Sequence, residues 1–215
     1  VERLTLSHPA TSQDAWVIET LGRRRGGFFV EIGGYDGVTH SNTLALERSF
    51  DWDGLLVEAN PDHYKKMVEY RPACQHDNRA VSVSTGSDVR FTKAGQWSGL
   101  TDFLPEAWQQ EYDDRNAPTF WVKTVKLLDL FREHNVPRVI DYFSLDIEGG
   151  ELPVLREFFR FGHTLFRFRC MTVEYQMDGG NLMRLERLLG PHGYTLEKVQ
   201  AWDAFFVNRD LLETQ

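Results

Sequence analysis

The chain has 215 residues, 41% of them hydrophobic and 13% aromatic, which suits one α/β domain with a sizeable core. Its net charge of -8 argues against a nucleic-acid binder whose affinity rests on neutralising phosphates, and no apolar run approaches the ~20 residues of a membrane span. Two cysteines, Cys74 and Cys170, make neither a disulfide framework nor a zinc site, and Cys170 lies in an apolar run that reads as core.

Residues 11–21 read as a helix, with Thr11 or Ser12 as its cap and Asp14 in the first turn. The basic run Arg23-Arg24-Arg25 then reads as a solvated helix end. Residues 28–32 form the first strand and 42–50 the next helix. Residues 54–58 are a second buried strand that ends in an acid, Glu58, and Pro61 suits the start of a helix running to about residue 70. Short strands follow at 79–84 and 89–92. Residues 94–118 read as irregular, rich in Trp, Gly, Pro and Asp, of a length typical of a lid or binding loop. Residues 119–124 are extended and 126–134 helical. Residues 139–147 make a third central strand that again ends among acids, and Pro153 sits near the start of a helix to about residue 159. A strand at 164–175, a helix at 182–189 stopped by Gly190-Pro191, and an antiparallel pair at 194–199 and 202–208 close the chain. Strands alternating with helices imply an α/β, doubly wound, mostly parallel sheet with an antiparallel C-terminal strand, in one domain over residues 1–215 with a substrate or lid insertion at 94–118. Ligands of such sheets bind beyond the strand carboxyl ends.

Three segments at those ends carry chemistry. In the first, an apolar strand ends at Glu31 and breaks into a turn holding Gly33, Gly34 and Gly37. The G-x-G-x-x-G fingerprint of NAD enzymes is not met, because Ile32 stands where its first glycine belongs. E-x-G-x-x-x-G is met, and this spacing resembles the first motif of methyltransferases that use S-adenosylmethionine (SAM). In the second, Glu58 ends a strand where a carboxylate can accept both hydroxyl protons of a ribose. Asp77-Asn78-Arg79-Ala80, near a third strand, could hold an adenine edge. In the third, Asp146, Glu148 and Glu151 converge around Gly149-Gly150. Carboxylates so placed raise one another's pKa unless a cation or hydrogen-bond donors compensate. They suit a sulfonium or amine, a metal, or a substrate hydroxyl. A helix N-terminus decorated with acids accounts for Glu151, yet Asp146 is still in strand register. Glu174 adds an acid at the end of the following strand.

These segments together resemble the FkbM family of SAM-dependent methyltransferases, over about residues 12–208. Residues 29–37 resemble the family's first motif, Glu58-Ala59-Asn60-Pro61 its E-x-N-P segment, and residues 144–151 its K-x-D-x-E-G-x-E signature, with Ser144 where many members carry lysine. Ser41-Asn42-Thr43-Leu44 and Trp52-Asp53-Gly54 resemble the subgroup related to the animal Star proteins. The resemblance implies a Rossmann-like class I methyltransferase fold with SAM as cofactor. It implies that Glu31, Gly33, Gly34 and Asp36 line the amino-acid end of SAM and Glu58 its ribose. Asn78 and Ala80 would lie near adenine, and Asp146 beside the sulfonium and the acceptor. Ser12, Gln13 and Asp14 either close over the cofactor or simply cap a helix.

Methyl transfer to an alcohol requires removal of its proton by a group within hydrogen-bond reach. Asp146 is the first candidate, followed by Glu174, His40 and His192. Trp97, Ser98, Glu148 and His192 are candidates for the substrate side, and Trp97, Trp108, Tyr112 and Trp121 could form an aromatic wall against a sugar. Asp146, Glu148 and Glu174 offer hard oxygens of the kind Mg²⁺ takes, although no metal is assigned and no H-x-H or C-x-x-C spacing supports a transition metal. The expected reaction is O-methylation of a sugar, glycan or glycosylated natural product. The expected partner is a small-molecule or carbohydrate acceptor, with no nucleic acid and no membrane span. Two other readings stay open: a Star-like interaction module without turnover, and an NAD-dependent oxidoreductase. The chain begins at Val1, so a soluble and cytoplasmic domain is expected only if it is complete, and an upstream leader or anchor stays open.

Overall fold

A computed structural model of the chain describes residues 12–94, 98–104 and 106–213, apart from the side chains of 106 and 107. Eight helices and eleven strands are assigned among the described residues. In chain order they run α1 (Gln13–Thr20), β1 (Phe28–Ile32), α2 (Leu44–Phe50), β2 (Asp53–Val57), α3 (Pro61–Tyr70), β3 (Gln75–Asp77), β4 (Ala80–Val81), β5 (Asp88–Thr92), β6 (Gly99–Leu100), α4 (Glu106–Asp114) and β7 (Thr119–Val125). They continue with α5 (Leu127–Glu133), β8 (Val139–Leu145), α6 (Glu151–Phe161), β9 (Arg167–Glu174), α7 (Gly179–Leu189), β10 (Tyr194–Gln200), β11 (Asp203–Asn208) and α8 (Arg209–Glu213).

Seven strands form one sheet in the order β10-β11-β9-β8-β1-β2-β3. The strands from β9 to β3 are parallel, and β11 enters antiparallel between β9 and β10. Strands covered on both faces need apolar side chains in both directions, which is why β1, β2 and β8 read as near-continuous hydrophobic runs. Val30 and Ile32 of β1 pack with Leu130, Phe131, Val154 and Leu185, from α5, α6 and α7. Phe29 of the same strand points the other way, into a second core with Trp16, Leu46 and Met67, from α1, α2 and α3. The sheet is therefore doubly wound. Its order reverses between β1 and β8, and at that switch point the carboxyl ends of neighbouring strands diverge and leave a crevice.

Local chemistry sets several element ends. Asn60 caps α3 by accepting a hydrogen bond from the Asp62 backbone N–H at 3.0 Å, with Pro61 at the first helical position. Asp178 caps α7 in the same way through the Gly180 N–H at 2.7 Å.

The segment expected to be irregular holds structure of its own. Strand β5 pairs antiparallel with both β6 and β7, and β7 pairs parallel with the two-residue β4, making a second four-stranded sheet, and α4 lies between β6 and β7. The polar helix E-A-W-Q-Q-E-Y-D-D carries good helix formers, but a two-residue strand and a short polar helix show no legible apolar period. The start of β9 also moves, because residues 162–164 form a 3₁₀ turn with Gly162 packed against the Phe158 ring. No helix among the described residues is long and apolar enough to cross a membrane.

Candidate active site

Six acids meet at the carboxyl edge of the large sheet. Glu58 follows β2, Asp146 and Glu148 follow β8, Glu151 opens α6, and Glu174 ends β9. Asp203 begins β11 and pairs in register with Glu174, because an antiparallel strand starts where its parallel neighbour stops. A cavity of about 420 Å³ opens here, within the range that holds small ligands. Its lining includes Gln13, Gly33, Gly34, His40, Asn42 and Ser98. Beside them stand Glu58, Trp108, Asp146, Glu148, Glu174 and Trp202. Among the described lining residues there is no lysine or arginine. A narrower pocket of about 50 Å³ continues past Gly33 and Glu58 to Ala59, Arg79, Ala80, Phe91, Leu100 and Phe103. The small sheet thus supplies the wall of this apolar recess.

Burial dominates the electrostatics. It lifts the Glu58 carboxyl to about 7, against the backbone N–H groups of Asn60 at 2.7 Å and Tyr35 at 2.9 Å, which donate to it. Each Glu58 oxygen keeps a second lone pair for a ligand hydroxyl. Burial lifts Asp146 to about 6, and burial followed by the Asp146 charge lifts Glu148 to about 9. Glu174 is raised by the same two causes. Glu151 is raised to about 8 by burial, while it accepts hydrogen bonds from the Ile147 N–H at 2.8 Å and the Gly149 N–H at 3.0 Å, so it holds the loop that carries Glu148. Asp203 is pushed up to about 7 by burial and then by Asp146, while Gln13 Nε2 donates to it at 2.5 Å. Gln13 Oε1 in turn accepts from the hydroxyls of Tyr142 at 3.1 Å and Thr172 at 3.3 Å. This fixes Gln13 as a buried wall of the cavity.

Several residues expected at the site lie elsewhere. Glu31 is 1% exposed and does not line either pocket. Its carboxylate accepts from Asn42 N–H at 2.7 Å, Ser41 Oγ at 3.1 Å and Thr43 Oγ1 at 2.5 Å, so it ties β1 to the turn before α2. Asp36 is consumed by its own loop, accepting from Val38 N–H at 3.0 Å and Thr39 N–H at 2.6 Å. Asn78 is exposed and donates to the Glu58 carbonyl at 2.9 Å, leaving Arg79 and Ala80 to line the recess. His192 sits at the opposite edge of the sheet, just before β10 begins, with its ring 4.3 Å from that of His163 and 4.8 Å from that of Phe159. Trp121 is 68% exposed on β7, away from both pockets. Trp97 lies outside the described residues. Ser144, in the place of the family's lysine, is buried and accepts from Asn42 Nδ2 at 3.0 Å.

Gly33, Gly34, His40, Glu58, Ser98, Asp146, Glu148 and Glu174 do share one cavity, with His40 exposed at its rim. Gln176, Met177 and Trp202 also line the cavity and Asp203 stands behind Gln13, none of them a candidate from the sequence. The start of the closing hairpin was the available signal, since pairing it antiparallel to β9 brings Asp203 to the same edge as Glu174.

The acid-lined cavity suits a ligand that carries positive charge, and the recess beside Glu58 suits a flat apolar ring next to a diol. Both are features of SAM. No curated protein matches the chain. Among solved structures, the METTL16 methyltransferase domain is 14% identical with a TM-score of 0.54, covering 96% of this chain and 69% of its own. The human methyltransferase 10 domain containing protein is 14% identical with a TM-score of 0.52, covering 96% of this chain and 84% of its own. A methyltransferase FkbM from Methylobacillus flagellatus is 10% identical with a TM-score of 0.51 over 94% of this chain, which spans only 55% of it. At such identities these likenesses establish the class I methyltransferase fold alone. The model of the methyltransferase FkbM domain matches residues 31–209, and the chain therefore belongs to the FkbM methyltransferase family, for which SAM is the expected cofactor.

Proposed function

We propose that this chain methylates a hydroxyl group of a sugar, glycan or glycosylated natural product. The observation that carries the reading is the position of Asp146. Asp146 lines both the large cavity and the recess, so one residue stands where the cofactor side and the acceptor side meet. When bound, SAM supplies an electrophilic methyl group on a positively charged sulfur.

The chain's own residues hold and orient. Glu58 accepts the ribose hydroxyl protons, and the recess formed by Ala59, Ala80, Phe91 and Leu100 takes the adenine. Gln13, His40 and Asn42 present polar groups to the amino-acid end. Asp146 accepts the proton of the acceptor hydroxyl. Its carboxyl is more basic than an exposed aspartate yet still ionised near neutral pH. Glu174 and Glu148 flank it and take the acceptor's remaining hydroxyls, and Trp108, Met177 and Trp202 offer apolar surface to the ring faces of a sugar. A phosphodiester would meet four carboxyls and no lysine or arginine among the described residues of this lining, which supports a neutral polyol acceptor over a nucleic acid.

Incubation with SAM labelled in its methyl group and a panel of saccharides and glycosylated scaffolds tests the reading. Label on an oxygen is the expected result. Label found only on nitrogen or carbon would overturn it.

A further inference from the structure

Asp146, Glu148 and Glu174 each offer a carboxylate oxygen, and these three oxygens lie within 4.8 Å of one another. A group of acids alone says little, but two of these have a defect that acids on a solvated surface lack. Glu148 is 8% exposed and Glu174 is 7% exposed, and in each the Oε2 atom is buried with no hydrogen-bond partner. A buried acceptor without a donor is costly, and a buried charge without a counter-charge costs more. No lysine or arginine among the described lining residues supplies that charge.

We propose that Asp146, Glu148 and Glu174 form a binding site for a divalent cation of the hard, oxygen-seeking kind, Ca²⁺ or Mg²⁺. A cation answers what a bound hydroxyl does not: one ion satisfies all three oxygens at once, whereas one hydroxyl proton satisfies one. The span fits. Two oxygens on opposite sides of Ca²⁺ stand about 4.6–5.2 Å apart, and on opposite sides of Mg²⁺ about 4.0–4.2 Å, so the three ligands close on either ion with small side-chain adjustment. The ligand set contains neither histidine nor cysteine, which selects against zinc. Three protein oxygens leave positions free for water and for one or two acceptor hydroxyls from the cavity. A hydroxyl bound there is polarised toward losing its proton, which the second oxygen of Asp146 receives. This use of the ion rests on the methyl-transfer reading. Binding of the ion does not.

The test is therefore made without SAM or acceptor. Ca²⁺ and Mg²⁺ are titrated separately into the chelator-treated full chain by calorimetry, with thermal unfolding followed in parallel. One ion per chain is expected, with a rise in Tm. Glu174→Gln and Glu148→Gln should each weaken binding by at least about tenfold and abolish the rise in Tm. In the absence of any ion the same variants should melt no lower than the parent, because a neutral amide replaces a buried carboxyl that has no hydrogen-bond partner at Oε2. Asp88→Asn, on a distant surface strand, should bind as the parent does. No stoichiometric binding by the parent, or equal affinity and equal Tm rise in both glutamine variants, overturns the proposal. Stoichiometric binding with those losses, alongside a failed methylation panel, would sink the functional reading and leave this site standing.

Discussion

Gly33 and Asp146 touch through their backbones. A Cβ on Gly33 would overlap the Asp146 carbonyl oxygen, and Gly33 holds φ +87°, in the left-handed region. The Asp146 N–H donates to the Ile32 carbonyl at 3.1 Å, so the ends of β1 and β8 are stitched together where the two halves of the fold diverge. The glycine loop and the acid loop are thus one unit. Gly33→Ala adds backbone strain to overpacking and should cost about 3 kcal/mol or more of stability, read by urea denaturation. A neutral effect would mean that the two loops do not meet.

Asp146→Asn keeps the shape of the site and removes the proton acceptor. Turnover should fall by about 10²–10⁴-fold while SAM affinity, measured by calorimetry, stays within a few-fold of the parent. Equal loss of both would make Asp146 a cofactor-binding group only.

Glu58 is held near 7 by burial, so its charge changes across the neutral range. A ribose diol donates to the ionised form. SAM affinity should therefore rise by up to about tenfold between pH 6 and pH 8, and Glu58→Gln should flatten that profile as well as lower affinity. Calorimetry at three pH values checks the slope, and a flat profile in the parent would remove Glu58 from the cofactor's contacts.

Raised carboxyls also set the pH dependence of stability. Asp203, at about 7 in the folded chain, holds a proton between about pH 4 and pH 7 that the unfolded chain has already released. The folded state is therefore favoured at the acid end of that window and loses this stabilisation as pH rises through 7. Glu58 acts with the same sign. The ligand-free chain should melt several degrees lower at pH 8 than at pH 5.5. Asp203→Asn can still accept from Gln13, so it should raise Tm at pH 8 and shrink the difference.

Arg71 is fully buried and closes the far side of the glycine loop. Its guanidinium donates to the Gly37 carbonyl at 2.9 Å, Ser41 Oγ at 3.1 Å and Thr43 Oγ1 at 3.2 Å, and it pairs with Glu47. It is also the positive charge that opposes the upward, burial-driven shift of Glu31. Arg71→Met leaves both acids without their cation and should cost about 3–5 kcal/mol in denaturant unfolding. A loss below about 1 kcal/mol would show that the network is redundant.

Much of this was legible in the linear chain. Strands buried on both faces write long apolar runs, and an acid or glycine at the end of each run marks the edge where ligands bind, so β1, β2, β8 and β9 and the candidates Gly33, Glu58, Asp146 and Glu174 could be read by position alone. The closing antiparallel pair was equally plain from its two short hydrophobic stretches.

Whether a given acid faces the cavity or the interior was decided only by tertiary structure. Glu31 and Asp36 sit in the same motif as Gly33, but hydrogen-bond donors from the turn at 41–43 and from the loop itself claim them first. His192 carries suitable chemistry on the wrong edge, because the direction of β10 puts its start far from the end of β9. Asp203 and Gln13 reach the site from residues 190 positions apart, a distance that no local pattern encodes. Sequence periodicity reports which residues leave water. Which polar group then meets which partner depends on strand order and register, and those are settled by the packing of the whole sheet.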